Sequence, residues 1–435
     1  MNKIEKMEYK DLNEIMYKYV LDNGLTVFMS PKKDYHKYFV SAMVNYGGGT
    51  NEFIPNGEKE FIKQPSGVAH FLEHKMFSMP EEIDASEHLS QLGVSSNAFT
   101  SKDRTAYYIN GSSNFQDALA YFIKTLETPY FTEENIEKEK GIIIQELMMK
   151  KDQFDVFAYY ELLKNVFKHP NMNSDVLGSE ADIQSINKEM LDLAYRNFYH
   201  PLNMVITIVG NFDMEEAIKI IESGQTYLFD QTYRKVVMKY DEPEHVIHHK
   251  KTIKMDLELP RVIVGVKIPK IYFEKNEKWL FERTLNCVMN LLFGSLSVNY
   301  QEMIDKELVL GQYNFAIDTN KEGGIIIIEC VTLKPQEFVD YVTNIIINAK
   351  LEKFDEEALN SNEHQIMGSL IKSWDYFDSM AIDFSTQYFN NCNVFECYKK
   401  IADIKVDEVL KYFKKEAISS CILSPKKKIS KKDHK

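Results

Sequence analysis

Two halves of this 435-residue chain repeat one order of predicted secondary structure. In the first half, the strand-like run TAYYING (105–111) is followed by a helical run and then by a tetrapeptide beginning at Phe131. In the second half, GGIIIIECVTL (323–333) is followed by another helical run and then by a tetrapeptide beginning at Phe354. Both tetrapeptides have the pattern Phe-x-Glu-Glu. Because a single core seldom grows beyond about 250–300 residues, the repeat predicts a duplicated domain.

The alternation of strand-like and helical runs predicts a mixed α/β protein. We expect two homologous domains, at residues 1–228 and 245–425, each a sheet with helices packed on one face. A charged segment that contains a proline, at residues 229–244, breaks the pattern and is predicted to be a linker. The lysine-rich end of the chain, at residues 426–435, is predicted to be a solvated basic tail.

The net charge of −13 argues against two classes of partner. Nucleic acids require a basic face that replaces counterions, and anionic membranes repel an acidic surface. No stretch approaches the roughly 18 apolar residues that a membrane span needs. The sequence therefore predicts neither nucleic-acid binding nor membrane insertion.

The cysteines number five, all in the second half of the chain: Cys287, Cys330, Cys392, Cys397 and Cys421. An odd number without a regular spacing predicts reduced thiols and a cytoplasmic location. The N-terminal residues mix acids and bases without an apolar run, so they predict no secretory or transit peptide.

The pentapeptide from His70 to His74 is the strongest chemical signal in the sequence. It lies in a predicted helix for which Ser66 is the expected N-cap. On a helix, residues at i and i+4 share a face, so both imidazoles can bind one metal. Glu73 reaches the same face and completes the inverted zincin pattern His-x-x-Glu-His, as a candidate general base. The alternative is a surface helix with polar i,i+4 pairs.

A catalytic zinc site needs a third protein ligand and one open position. Glu146, on a later predicted helix, is the candidate, and one zinc ion per chain is expected. Glu139 precedes it by about two helical turns, so both carboxylates share a face, and Glu139 is expected to orient a ligand histidine. The repeat aligns Glu146 with Ser369, which predicts a metal site in one half only. Taken alone, these two residues are also typical of any acidic helix.

Four segments carry a resemblance to a known family: SGVAHFLEH, SSNAFTSKDRTAYY (95–108), the Glu139–Glu146 pair and YHPLNMVITIVGNFD (199–213). With these, the chain resembles the pitrilysin/insulinase family of zinc peptidases, as a half-size bacterial member. The resemblance implies an α+β fold whose two domains have mostly antiparallel sheets. It also implies zinc-dependent peptide hydrolysis inside a closed chamber formed by a homodimer or a heterodimer with a homologous subunit.

The resemblance further implies how substrate is bound. The peptide would add as a strand to an exposed sheet edge beside the zinc. Asn97 and Ala98 match the family's N-A-x-T element on that edge, with Asn97 expected to hydrogen-bond the substrate. Phe99 and Thr100 are expected to be edge-strand residues. Without the family, Asn97 would be interpreted as a turn residue.

The second half departs from the family pattern in the stretch SVNYQEMIDKELVLGQYNF (297–315). Ile304 stands where many members carry an arginine, and Tyr313 is the only candidate for the expected substrate-binding tyrosine. The support that the second domain gives to substrate is therefore in question.

The sequence predicts a zinc metalloendopeptidase acting on peptides or unfolded polypeptides. The alternatives are a non-catalytic partner subunit, a metal-dependent lyase with the inverted pattern, and a peptide-binding scaffold with structural zinc. A lyase such as S-ribosylhomocysteine lyase uses a cysteine ligand, and no cysteine precedes Cys287. His245, His248 and His249 are expected to form an exposed cluster beside the linker rather than a second metal site.

Overall fold

The computed structural model describes residues 4–80, 84–226, 232–270, 278–320, 322–350, 354, 356–399 and 406–426. The chain forms two compact units, each assembled from separate segments. The first unit comprises Met1–Met148, Asp175–Lys239 and Leu370–Glu396. The second unit comprises Met149–Ser174, Tyr240–Ser369 and Cys397–Lys435. No helix in the described part of the chain has the length and apolar character needed to cross a membrane.

The first unit contains ten of the described strands: β1 Glu5–Tyr9, β2 Glu14–Val20, β3 Thr26–Pro31, β4 Tyr38–Val44, β5 Glu52–Ile54, β6 Ile62–Lys63, β7 Ser95–Thr100, β8 Thr105–Gly111, β9 Met204–Gly210 and β10 Val236–Val237. The second unit contains five: β11 Lys250–Met255, β12 Arg261–Ile268, β13 Tyr313–Asn320, β14 Gly323–Val331 and β15 Ile418–Pro425.

The described helices follow in chain order: α1 Val68–Lys75, α2 Ala85–Gln91, α3 Phe115–Glu127, α4 Glu133–Lys151, α5 Phe154–Val166, α6 Pro170–Asn173, α7 Glu180–Ser185, α8 Lys188–Phe198, α9 Met214–Gly224, α10 Lys278–Phe293, α11 Val298–Asp305, α12 Pro335–Ile347, α13 Glu356–Ser373, α14 Phe377–Phe389, α15 Val394–Lys399 and α16 Val406–Leu410. Short 3-10 turns occupy Lys10–Leu12, Pro201–Asn203 and Lys415–Ala417.

The two large sheets share one strand order, which confirms two homologous domains of an α+β fold. The first sheet has the order β1-β2-β3-β9-β4-β8-β7, and the second has β11-β15-β12-β14-β13. The last five strands of the first sheet therefore correspond one to one with the second sheet. In both sheets the pair equivalent to β3 and β9 is parallel, and the other pairs among these five strands are antiparallel.

Each sheet carries helices on one face, as predicted, and one further helix on the other face. In the first unit, β9 is buried along its whole length because α14 packs against β9 and β4 from the second face. At this contact the hydroxyl groups of Thr207 and Ser385 form a hydrogen bond of 2.8 Å. In the second unit, α5 packs in the same way against β12 and β15. Parallel and central strands with both faces covered are accordingly rich in Val and Ile.

Each of these two helices lies in the unit that is built mostly from the other half of the sequence. Residues 149–174, which include α5, lie in the unit built mostly from the second half, and residues 370–396, which include α14, lie in the other unit. The continuous division into 1–228 and 245–425 therefore does not describe the compact units, although the domain limits themselves stay a prediction. An amphipathic helix indicates that it covers an apolar sheet but not which of two similar sheets it covers. Of the predicted tail and linker, residues 427–435 and 229–231 lie outside the described residues.

The cysteines differ from expectation at two positions. Cys392 and Cys397 are disulfide-bonded. Cys287, Cys330 and Cys421 are free and buried. The prediction of five reduced thiols is therefore wrong for this pair, because a spacing of five residues matches neither the redox nor the zinc pattern C-x-x-C.

Candidate metal centre

Helix α1 begins at Val68, and its N-cap is Gly67 rather than the predicted Ser66. Gly67 is the N-cap residue and has a φ of 96°, a left-handed conformation that glycine adopts without strain. A Cβ atom at this position would lie 2.3 Å from the carbonyl oxygen of Leu177, so no larger residue fits. The close approach fixes the start of α1 against the loop before α7.

Three potential ligand atoms converge where α1 meets α4. The Nε2 atoms of His70 and His74 each lie 3.6 Å from Oε2 of Glu146. Ligands about 2.1 Å from a tetrahedral zinc ion are about 3.4 Å apart, so the group has the spacing of a zinc site. It is the only such group of three or more His, Cys, Asp or Glu side chains among the described residues. Helix periodicity brings the histidines together, and the packing of α4 brings Glu146 to them.

Glu139 and Lys75 form a second layer behind His74. Nδ1 of His74 donates to Oε1 of Glu139 at 3.0 Å, which leaves Nε2 as the atom that faces Glu146. The other oxygen of Glu139 lies 3.6 Å from Nζ of Lys75, whose side chain is 2% exposed. Nζ of Lys75 also donates to Ser78 Oγ at 2.7 Å. The predicted place of Glu139 beside a ligand histidine agrees with this geometry, whereas Lys75 was not anticipated.

The electrostatics of this layer favour an ionised Glu139. Burial raises the pKa of Glu139, but the hydrogen bond with His74 and the charge of Lys75 outweigh it and hold the pKa below its ordinary value. Burial lowers the pKa of Lys75, and the nearby Glu139 only partly compensates. Burial also lowers the pKa of His74, but Glu139, Glu73 and Glu146 raise it overall. An imidazole held between carboxylates is a strongly basic ligand for a cation.

Glu73 is almost fully buried beside the histidines and is held by Thr100. The hydroxyl of Thr100 donates to Oε2 of Glu73 at 2.6 Å. Thr100 closes strand β7, so the sheet itself fixes one oxygen of the carboxylate. Thr100 was predicted only as an edge-strand residue, and its contact with Glu73 is an addition. The threonine of the N-A-x-T element was the signal that could have suggested it.

Strand β7 is an edge of the first sheet among the described strands. It pairs with β8 on one side, with Asn97 opposite Tyr108. Within β7, Oδ1 of Asn97 accepts from the backbone N–H of Ala98 at 2.8 Å. The predicted residues Asn97, Ala98 and Phe99 therefore lie on an exposed edge that ends at Glu73.

A cavity of about 700 Å³ opens beside the metal-binding group. It reaches from Ser96 and Ala98 on β7 to Glu73 and His74 on α1, and its outer walls include Phe77. A side chain of a peptide lying on the β7 edge would fit this volume.

Tyr313 belongs to the second unit, where it is 6% exposed. Its hydroxyl donates to the carbonyl oxygen of Phe293 at 2.7 Å, and burial raises its pKa. Ile304, on α11 of the same unit, is exposed. A substrate-binding role for Tyr313 stays a prediction.

Comparisons with known proteins identify the family. The family model described as "Insulinase (Peptidase family M16)" matches residues 57–180, and that described as "Peptidase M16 inactive domain" matches residues 185–366. A protein of Bacillus subtilis (strain 168) named "Uncharacterized zinc protease YmfH" is 30% identical over 430 residues, which cover 97% of this chain and 100% of that protein. The chain belongs to the M16 (insulinase) peptidase family. The resemblance stated from the sequence is thus confirmed. The match at 57–180 contains all the predicted metal-centre residues: His70, Glu73, His74, Glu139 and Glu146.

Solved structures agree with the M16 fold. A protein of Alicyclobacillus acidocaldarius described as an M16-like peptidase has a TM-score of 0.86 and 26% identity, over 98% of this chain and 99% of that one. A protease of Helicobacter pylori has a TM-score of 0.77 over 98% of this chain and 100% of that one, and at 19% identity it supports the fold alone. A more distant relative is the mitochondrial-processing peptidase subunit beta of Caenorhabditis elegans, 27% identical over 191 residues, 42% of each chain.

Proposed function

We propose that this M16 chain is a zinc-dependent endopeptidase in which His70, His74 and Glu146 bind one zinc ion and Glu73 is the general base. The observation that carries the proposal is the convergence of the three ligand atoms next to a buried carboxylate. Names of relatives support zinc and proteolysis, since the Bacillus subtilis protein is called a zinc protease. The donor set of two imidazoles and one carboxylate suits zinc and leaves one position open.

The side chains present can carry out hydrolysis once zinc is bound. Zinc would supply a Lewis acid that polarises the peptide carbonyl and acidifies water. Glu73 accepts the proton that water loses and passes it to the nitrogen of the leaving amine. Thr100 holds Oε2 of Glu73 in place for both transfers. Glu139 fixes the ring of His74 through Nδ1, so that Nε2 stays directed at the metal position.

The substrate class follows from the free edge of β7. An extended peptide can pair with this strand through main-chain hydrogen bonds, which are largely independent of its sequence. Asn97 lies on the edge and would exchange its contact with Ala98 for one with the peptide. We therefore infer unfolded polypeptides or peptides as substrates, bound in a chamber closed by a second copy or by a homologous chain. A native mass measurement of the purified protein, alone and with any co-purifying homologue, tests the pairing.

The experiment that tests the function is digestion of a quenched fluorescent peptide library. We expect hydrolysis by the zinc-loaded protein, loss of hydrolysis with a chelator, and recovery when zinc is added back. Hydrolysis that survives complete metal removal, or zinc-loaded protein that cleaves no member of the library, would contradict the proposal. The second result, combined with tight zinc binding, would instead favour the partner subunit or the peptide-binding scaffold.

Replacing Lys75 by Met is expected to weaken zinc binding by about tenfold. This is the lower end of the range measured for residues that support a metal ligand without binding the metal themselves. Methionine keeps the apolar stem but removes the charge 3.6 Å from Glu139, so that carboxylate holds His74 less firmly. Competition with a chromogenic chelator measures the affinity directly.

Lys63→Met, a change of the same type at an exposed position, serves as the control for Lys75→Met. If Lys75 acts through Glu139, its effect should largely vanish in a Glu139→Gln background, because coupled residues give non-additive changes. Fully additive changes in zinc affinity would show that Lys75 is merely a structural tether of α1.

A further inference from the structure

A second cavity, of about 620 Å³, lies at the other end of the β7 edge within the same unit. Its floor is formed by the ends of β4, β7 and β8, and its wall by the first residues of α14. Ser95, the first residue of β7, contributes to it. We call this cavity the distal groove. Ser95 and Thr100 are the two ends of one strand, so the groove and the Glu73 contact share a single exposed edge.

The distal groove is lined by aromatic rings. Phe39 and Tyr108 stack on its floor, with ring centroids 5.3 Å apart and an angle of 28° between the planes. Tyr376 stands at its wall with 56% of its surface exposed. Phe377 is buried next to it and carries the ammonium group of Lys37 4.7 Å above its ring. An exposed ring beside a stacked pair offers a face to another planar group.

The charges at the groove favour a neutral occupant. Lys37 and Asp378 both line it and carry opposite charges, so neither sign dominates. Asn110, opposite Ser95 in the sheet, adds a polar but uncharged side chain. The surface therefore suits an aromatic side chain rather than a cationic or an anionic one.

The pleat of a strand determines how a peptide on β7 would reach both cavities. Successive side chains of an extended peptide point to opposite faces, about 3.3 Å apart along the strand. Ser96, Asn97 and Ala98 line the cavity beside the metal-binding group, and Ser95 lines the distal groove. Residues opposite Ala98 and Ser95 are three positions apart, so their side chains point to opposite faces. One peptide can thus fill both cavities at once.

We propose that the distal groove binds an aromatic side chain of the peptide substrate, three residues away from the side chain that enters the cavity beside His74 and Glu73. The proposal rests on the function proposed above. It makes the groove a specificity determinant for peptides long enough to span the strand, whereas shorter peptides depend on the metal-binding end alone.

The test uses the zinc-loaded protein and quenched peptides of alanine and serine with one fixed cleavage site. A single phenylalanine is placed at each position in turn. We expect kcat/KM to rise by about three- to tenfold at one position, the size of effect that an aromatic contact produces. Tyr376→Ala should reduce the rise to less than twofold, while Tyr376→Phe, which keeps the ring, should retain it. Truncated peptides that stop short of that position should be cleaved equally by all three proteins.

Several outcomes would overturn the distal groove proposal. One is the absence of any position at which phenylalanine helps, and another is an equal loss for truncated and full-length peptides in Tyr376→Ala. A change in native mass caused by Tyr376→Ala, without a change in peptide preference, would instead show that the groove contacts a second chain. If the unaltered zinc-loaded protein cleaves neither the truncated nor the full-length peptides, the proposed peptidase function fails. Failure of the distal groove proposal alone leaves that cleavage intact, so the two outcomes can be told apart.

Discussion

Glu73→Gln is expected to lower kcat/KM for peptide hydrolysis by about 10²–10⁴-fold, which is the contribution of a positioned general base. In free energy of activation this range is about 2.7–5.5 kcal/mol. Glutamine has nearly the same shape, and its carbonyl oxygen can still accept from Thr100, so the fold and the metal ligands should be unaffected. The measurement is kcat/KM on a quenched peptide together with zinc content by elemental analysis.

Glu58→Gln, an exposed change of the same type in the same unit, should leave both quantities unaltered. The informative pattern is a variant that keeps one equivalent of zinc but does not hydrolyse peptide. Near-normal turnover by Glu73→Gln would remove Glu73 from the mechanism. Loss of zinc together with activity would mean that Glu73 supports the metal rather than the proton transfer.

The sequence predicted the parts of this molecule that local periodicity encodes. Strand β8 occupies the range expected from its pattern, and the helical segments predicted after it are observed as α3 and α4. The two histidines of α1 lie on one face because a helix places i and i+4 together. That Glu146 meets them depends on the packing of α4, which helix periodicity does not encode; Glu146 was a candidate because a zinc site needs a third ligand.

The contacts that the sequence did not predict depend on burial and on choices between similar surfaces. Lys75 resembles any solvated lysine at a helix end, and only its burial behind Glu139 gives it a partner there. Helices α5 and α14 occupy matching places in the repeat, yet each covers the sheet of the other half. Two homologous sheets present similar apolar faces, so hydrophobic pattern alone does not select between them.

The second large effect is expected for Glu146→Gln, which should lose zinc on metal analysis. Glutamine removes the negative charge that lies 3.6 Å from both imidazole nitrogens, and a neutral amide is a weaker ligand for zinc. Since loss of an outer partner costs about 10–100-fold in affinity, loss of a direct ligand should exceed that range. Hydrolysis should fall with zinc occupancy, and excess zinc should restore part of it. His70→Ala should also lose zinc and hydrolysis, and excess zinc should not restore hydrolysis in this variant.

The matched control is Glu133→Gln, which changes an exposed carboxylate in the first turn of the same helix. It should keep both zinc and hydrolysis, so a loss in Glu146→Gln cannot be attributed to a general weakening of α4. In the absence of metal, the two variants should have similar unfolding temperatures, because neither protein then has a metal contact to lose. A full equivalent of tightly held zinc in Glu146→Gln would exclude Glu146 as a ligand. Another side chain would then have to be the third ligand. The first candidate to mutate would be Glu139, whose Oε1 lies 3.0 Å from Nδ1 of His74.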